Sequence, residues 1–381
     1  MASRIGFAQG VYAVKPTKFR TNKEALADNR FMLHEDNEDC QEFDCRVRGE
    51  HQTFVKNMKK ANIDVTILVQ PIEDAPDAIF PDWFTCYKGE SIPEGVLIIH
   101  PMAYQSRRNE RSPEVIAKLQ TGYKHTIDLT HFEDEDKALE GKGAIVFDHR
   151  NRRFYTALSN RSSADVLNEL VEKFNELAVD GKENPYKAIT FEAKDQHGEV
   201  IYHTDCLMTV LGRHAMVCLD AIRDKGQRAE LLKSLTTGPH KYEIMELTLQ
   251  QIENMSANNQ TVTNRDGKYC VIQSERGYTA LTEEQKRILN ENYIMVVTKV
   301  DLIETVGGGS CRCMLVENWS TITAEMMSPK ERSALEVAKT GSLVRKALAY
   351  TTPTKQYSQS LKRGRSSGDS AFYLQMAAQA T

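Results

Sequence analysis

Val306-Gly307-Gly308-Gly309-Ser310-Cys311-Arg312-Cys313-Met314-Leu315-Val316-Glu317 is the stretch on which the reading of the chain turns. Three consecutive glycines call for unusual backbone dihedrals or a very close neighbour. They follow text rich in β-branched residues and lead into two cysteines flanking Arg312. A cation beside a thiol lowers its pKa and raises the fraction of thiolate, the nucleophilic form. A thiol on a tight glycine turn at the edge of a sheet is placed to attack a bound electrophile. The plain alternative is a glycine turn carrying two buried structural cysteines.

Outward from that stretch, composition sets the bounds. The chain has 381 residues, a formal net charge of -4, 40% hydrophobic and 27% charged residues. That length holds one large domain or two ordinary ones, and the balance is that of a soluble globular protein. A near-neutral charge argues against a nucleic-acid binder, which carries a basic excess. No apolar run reaches the roughly 18 residues of a membrane span. Met1 to Gly6 carries no apolar secretory core, so the expected location is the cytoplasm. The eight cysteines include several inside apolar strand text, such as Met216-Val217-Cys218-Leu219, and read as reduced buried thiols. Paired C-x-x-C knuckles are absent, which argues against structural zinc.

Read in order, Val65 to Val69 is a β-branched run expected to form a buried strand. Ala75-Pro76-Asp77-Ala78-Ile79-Phe80-Pro81-Asp82-Trp83-Phe84 embeds two aspartates among apolar residues. Buried carboxylates need a cation or hydrogen-bond donors, so the segment reads as capped turns or as a pocket for a cationic group. Val96 to Ile99 is a strand running into Arg107, Arg108 and Arg111. These arginines form either a solvated patch or a grip on a carboxylate or phosphate. Ser112-Pro113-Glu114 opens a helix. Ala144 to Phe147 and Phe154 to Leu158 are expected to pair as a hairpin. Val166, Leu167, Leu170, Val171, Phe174 and Leu177 share one helical face, with Ser162 and Asp165 resembling a capping box. Val200 to Val210 is expected as a strand that puts His203 and Asp205 on one face. Thr282 and Gln285 form a second capping box. From about Ser328 to Leu348 the text is helical. Beyond Thr351, with Leu361-Lys362-Arg363-Gly364-Arg365, it reads as a basic, flexible tail. Strand, hairpin and helix text alternates throughout, which indicates an α/β or α+β protein, and no internal repeat is evident.

The order and spacing of these motifs, over about residues 8 to 320, resembles the guanidine-modifying superfamily. Its members include arginine deiminase, dimethylarginine dimethylaminohydrolase and the amidinotransferases, also called penteins. Two of its patterns are Phe-Pro-Asn-Asn-Trp and Gly-Gly-Gly-Ser-x-Arg-Cys-Met. The resemblance implies a five-bladed α/β propeller with pseudo-fivefold ββαβ repeats over residues 1–325, followed by a C-terminal segment, 326–381. It makes Cys313 the nucleophile, His203 the acid and base, and Glu140 the residue that orients His203 and favours its charged form. Asp77, Asp82 and Asp205 match guanidinium-binding acids, and Arg107 and Arg161 match arginines that hold a substrate carboxylate. Asn258 matches a polar loop position, and Cys311 stands where the motif has no cysteine.

Two departures affect the substrate more than the chemistry. Phe80-Pro81-Asp82-Trp83 is one residue shorter than its pattern. Glu140-Gly141-Lys142-Gly143 stands where deiminases have Glu-Gly-Gly-Asp, so Lys142 alters the charge of the pocket. The implied reaction is hydrolysis at the guanidino carbon of arginine or a related guanidine, through a covalent thiouronium on Cys313. It gives a citrulline-type product and ammonia or an amine. Aspartates at 82 and 205, not asparagines, favour a cationic guanidine over a neutral ureido group. The alternatives are an amidinotransferase, with an amine in place of water, and a non-catalytic arginine-binding pseudoenzyme. The expected partner is a small-molecule guanidine, with no metal, cofactor, nucleic acid or membrane, and homo-oligomerisation is left open.

Overall fold

Each of five three-stranded sheets repeats one pairing scheme: an antiparallel pair, then a third strand that lies parallel to the middle one. The structure, a computed structural model, describes residues 6–32, 40–69 and 75–320. The expected helix from Ser328 and the basic tail lie outside the described residues.

β1 (Gly10–Val14) is followed by α1 (Gln41–Lys60) and β2 (Asp64–Leu68), which pairs with β1 in parallel. The second unit is β3 (Phe84–Tyr87), β4 (Val96–Ile99), the helices α2 (Gln105–Arg108) and α3 (Pro113–Gln120), and β5 (His125–Asp128). A one-turn helix, α4 (Gly141–Ala144), leads into β6 (Val146–Asp148) and β7 (Arg153–Ala157). α5 (Ala164–Leu177) and β8 (Lys187–Phe191) complete that unit. The fourth runs β9 (Met208–Val210), β10 (His214–Val217), α6 (Lys225–Thr237) and β11 (Glu243–Glu246). After α7 (Leu249–Glu253) come β12 (Gln260–Thr263), β13 (Tyr269–Ser274), α8 (Glu275–Thr279), α9 (Glu283–Asn292) and β14 (Ile294–Thr298). α10 (Asp301–Gly307) precedes β15 (Leu315–Asn318), which pairs antiparallel with β1. The first sheet therefore joins the two ends of the described chain, Gly10 opposite Asn318, and closes the five-bladed α/β propeller.

Local sequence explains these elements. Val96-Leu97-Ile98-Ile99, the middle strand of its sheet, is buried on both faces and is a continuous apolar run. α5 buries Val166, Leu167, Leu170 and Phe174, at the 3.6-residue spacing of an amphipathic helix. Ser112 caps α3 with Pro113 at its first turn.

Several expectations are corrected. Val200 to Val210 is not one strand. His203 precedes a one-turn 3-10 helix at Thr204–Cys206, and only Met208–Val210 is strand. His203 and Asp205 reach the site from that turn, not by strand alternation. Ala144 closes a helical turn instead of opening β6. The glycine run ends α10 instead of following a strand, with Gly308 at φ 61° closing the helix. Ser162 donates its hydroxyl to the Ala157 carbonyl, and Ser163 takes the cap position of α5 without a side-chain bond. The repeat escaped the sequence because pairing scheme, not residue identity, recurs.

The Thr282 capping box is present: its Oγ1 accepts from Gln285 N at 3.2 Å, and Gln285 Oε1 accepts from Thr282 N at 2.9 Å. Thr282→Ala is expected to lower stability by about 1 kcal/mol in urea unfolding. Because α9 lies on the outside of its blade, activity should not change.

Candidate active site

Each blade sends the segment just before its first strand to one place. Asp82 stands two residues before β3, Lys142 four before β6 and Asp205 three before β9. Asn258 stands two before β12 and Cys313 two before β15. Polar backbone at these strand entries is buried, so the side chains there must satisfy one another.

Cys313 is buried, at 5% exposure. Its Sγ lies 3.5 Å from Asp205 Oδ2 and 3.1 Å from Asn258 Nδ2. Asn258 Oδ1 accepts from the backbone N–H groups of Arg312 (3.1 Å) and Cys313 (3.4 Å), so one amide fixes both the turn and the thiol. Burial, then the Asp205 charge, pushes the Cys313 thiol well above its usual pKa, and Lys142 offsets only part of this. This overturns the expectation that Arg312 would make the thiolate. The Arg312 side chain turns instead toward Asp205 (Nε 3.8 Å) and the Asn259 carbonyl (3.5 Å). Cys311 is fully buried in the core that also holds Val306 and Met314.

His203 Nε2 lies 2.9 Å from Glu140 Oε2. Its Nδ1 faces Gly143, where an added Cβ would sit 2.4 Å away. Glu140 has no solvent exposure. It also accepts from Ala103 N at 3.1 Å and meets Arg161 Nη1 at 3.5 Å. Burial raises its pKa, but Arg161 and His203 outweigh that and hold the carboxyl well below the usual range. Arg161 is ion-paired with Asp28 and lies between the rings of Tyr202 and Tyr104, 4.6 and 5.1 Å from their centroids.

Asp82 accepts from Lys142 Nζ at 2.6 Å and from Arg107 Nη2 at 3.2 Å. Against burial, Lys142 and then Arg107 hold its pKa below the usual value. Arg107 also donates to the Phe80 carbonyl at 2.6 Å and pairs with Glu110, whose burial pushes its pKa to about 8. Asp77 accepts from Asn22 Nδ2 at 2.8 Å, and its Oδ1 is buried without a hydrogen bond. Burial raises the pKa of both Asp77 and Asp205 against the nearby cations.

The eight residues singled out from sequence thus form one neighbourhood. Cys313 meets Asp205, His203 meets Glu140, Arg161 meets Glu140 and Arg107 meets Asp82. Asp77 acts electrostatically on Arg107. Arg107 and Arg161 are each bound to protein carboxylates. Three residues acquire contacts that the sequence did not assign. Asn258 had no role, Asn22 stood in unremarked text, and Lys142 was visible only as a departure from a motif. Among the described residues no cluster of His, Cys, Asp and Glu suits a metal ion, and no helix is long and apolar enough to cross a membrane.

Comparison with known proteins gives two kinds of likeness. The family described as N,N dimethylarginine dimethylhydrolase, eukaryotic, matches residues 15–320. Among solved structures, ArgZ, an arginine dihydrolase from the ornithine-ammonia cycle in cyanobacteria, is 16% identical with a TM-score of 0.60. The match covers 84% of this chain and 42% of ArgZ, so the chain spans less than half of that protein. The N-terminal domain of ArgZ, solved with a covalently bound reaction intermediate, is covered to 96%, at 16% identity over 80% of this chain and a TM-score of 0.59. Dimethylarginine dimethylaminohydrolase of Pseudomonas aeruginosa, solved with citrulline, is covered in full, at 14% identity over 82% of this chain and a TM-score of 0.54. At these identities the likeness is one of fold. No curated protein sequence matches the chain.

The raised thiol pKa sets a pH dependence. Alkylation of Cys313 by iodoacetamide, followed by peptide mass mapping, should be slow at neutral pH. Its rate should still climb above the ordinary thiol pKa of about 8.5. Asp205→Asn removes an anion and should shift the rise to lower pH. A rate that levels off below neutrality would contradict the assignment.

Proposed function

The chain belongs to the eukaryotic N,N dimethylarginine dimethylhydrolase family, whose reaction is hydrolysis of an amidine C–N bond, and we propose that it is a cysteine-dependent hydrolase of the guanidino carbon of arginine or a related guanidine. The observation that carries this reading is the pairing of Cys313 Sγ with Asp205 and Asn258 in the same cluster as the His203–Glu140 pair.

A guanidinium is a weak electrophile because its charge is delocalised. Asp205 supplies charge-assisted hydrogen bonds that orient it, and Asp77 Oδ1 offers a buried acceptor with no partner of its own, while both oxygens of Asp82 are held by Lys142 and Arg107. A cation brought beside Sγ lowers the thiol pKa, so the substrate itself promotes formation of the nucleophile. Asp205 Oδ2, at 3.5 Å, is placed to receive the thiol proton. Sγ then bonds to the guanidino carbon. The C–N bond breaks, and His203, through Nδ1, gives its proton to the departing ammonia or alkylamine. The thiouronium left on Cys313 is attacked by water, one proton of which goes to His203. The C–S bond then breaks, the leaving sulfur takes back the proton held by Asp205, and the other water proton passes to solvent, which gives a ureido product and free enzyme. ArgZ, with its bound covalent intermediate, supports a covalent route. Glu140 holds His203 by its other nitrogen. Arg161 and Arg107 hold Glu140 and Asp82 in place, and they come to a substrate carboxylate only by sharing those partners. We assign the catalytic unit to residues 1–325 and leave the C-terminal segment, 326–381, outside it.

Intact-protein mass spectrometry after brief incubation with arginine, methylated arginines or citrulline should give an adduct that maps to Cys313, with release of ammonia or methylamine. Cys313→Ser should lose both, and Glu140→Gln should lower turnover by about 100-fold or more. Transfer of the amidine to added glycine would reassign the protein as an amidinotransferase. No adduct and no product with any of these compounds would leave a binding protein on the propeller fold.

A further inference from the structure

Lys142 places a second ammonium where the reaction needs room for a cation. Its Nζ is buried between Asp82 Oδ1 at 2.6 Å and the Cys313 carbonyl at 2.8 Å. Asp82 already meets Arg107 through its other oxygen, so both oxygens of that carboxylate carry a cation. No side chain at the neighbouring position offsets it, because an added Cβ at Gly143 would lie 2.4 Å from His203 Nδ1. Lys142, Arg312, Gln260 and Glu317 also line a cavity of about 20 Å³, roughly the space of a single water.

From this geometry we propose that Lys142 is a specificity-determining residue that selects substrate by charge. Its ammonium takes the Asp82 acceptor that a guanidinium would use, and it repels a second cation. The site therefore takes a weakly basic guanidine, which enters without formal charge, in preference to the fully protonated guanidinium of arginine. Like charges held a few ångströms apart in a partly polar site repel strongly enough to decide between ligands of one shape. This rests on the hydrolase reading and narrows its substrate class; it also reverses what the aspartates alone suggest.

Arginine and citrulline differ little in shape and by one charge, so they serve as probes. Binding of each to the full chain carrying Cys313→Ser would be measured by calorimetry, with Lys142 intact and as Lys142→Met or Lys142→Gln. With Lys142 intact, citrulline should bind at least as tightly as arginine. Both substitutions should tighten arginine by about 10- to 100-fold and leave citrulline within about threefold. Thermal unfolding of each variant reports folding, and a general loss of structure would weaken both ligands together and leave their ratio unchanged. Tighter arginine than citrulline binding with Lys142 intact, or an unchanged ratio on substitution, overturns the proposal. If the chain with Cys313 intact turns arginine over, the hydrolase reading still stands. Failure of both ligands to bind any folded variant overturns both.

Discussion

The buried carboxylate of Glu140 is the interaction on which the site depends. It has no contact with solvent, so its charge is tolerable only with partners on every side. His203, Arg161 and the Ala103 amide supply them. Arg161 in turn needs Asp28 and the faces of Tyr104 and Tyr202. A second chain of the same kind runs from Glu110 through Arg107 to Asp82 and Lys142. Removing one member of such a network strands a charge in a low-dielectric interior, at a cost of about 3–5 kcal/mol. The network therefore orders the centre of the molecule and fixes the orientation of His203 and Asp82.

The propeller makes such a network affordable. Each blade ends its approach to the centre with a short irregular segment just before its first strand, where the backbone turns and side chains converge. Close packing there demands glycine. Gly141 lies at φ +43° with an added Cβ only 2.3 Å from the Asp82 carbonyl, and Gly143 presses against His203. Pairing of β1 with β15 closes the ring and brings Cys313, late in the described chain, against Asp205 and Asn258.

Electrostatically the resting centre is more self-satisfied than a site waiting for a cation. Its acids are paired or pushed up by burial, its thiol is held protonated, and Lys142 lies where charge would otherwise be missing. Asp77 keeps one unpaired buried oxygen. The machinery is thus set to respond to what enters, since a ligand's charge moves the thiol and the carboxylates together.

By itself the sequence determined the alternation of strands and helices, the caps at Ser112 and Thr282, and the buried apolar faces. All of these follow from local periodicity and side-chain hydrogen bonding. Motif resemblance added the fold and the eight residues from Asp77 to Cys313, because the short segments that carry them keep their order. Only the tertiary structure decided who meets whom. His203 and Asp205 arrive from a 3-10 turn that no alternation pattern encodes, and Arg107 and Arg161 turn to protein carboxylates. The Cys313 thiol moves up in pKa despite its neighbouring arginine, because burial and the Asp205 charge raise it while Arg312 is directed at that carboxylate and not at the sulfur. The partner of Lys142 is 60 residues away in the chain. Charge interactions depend on distance and burial, which the order of residues along a chain does not state.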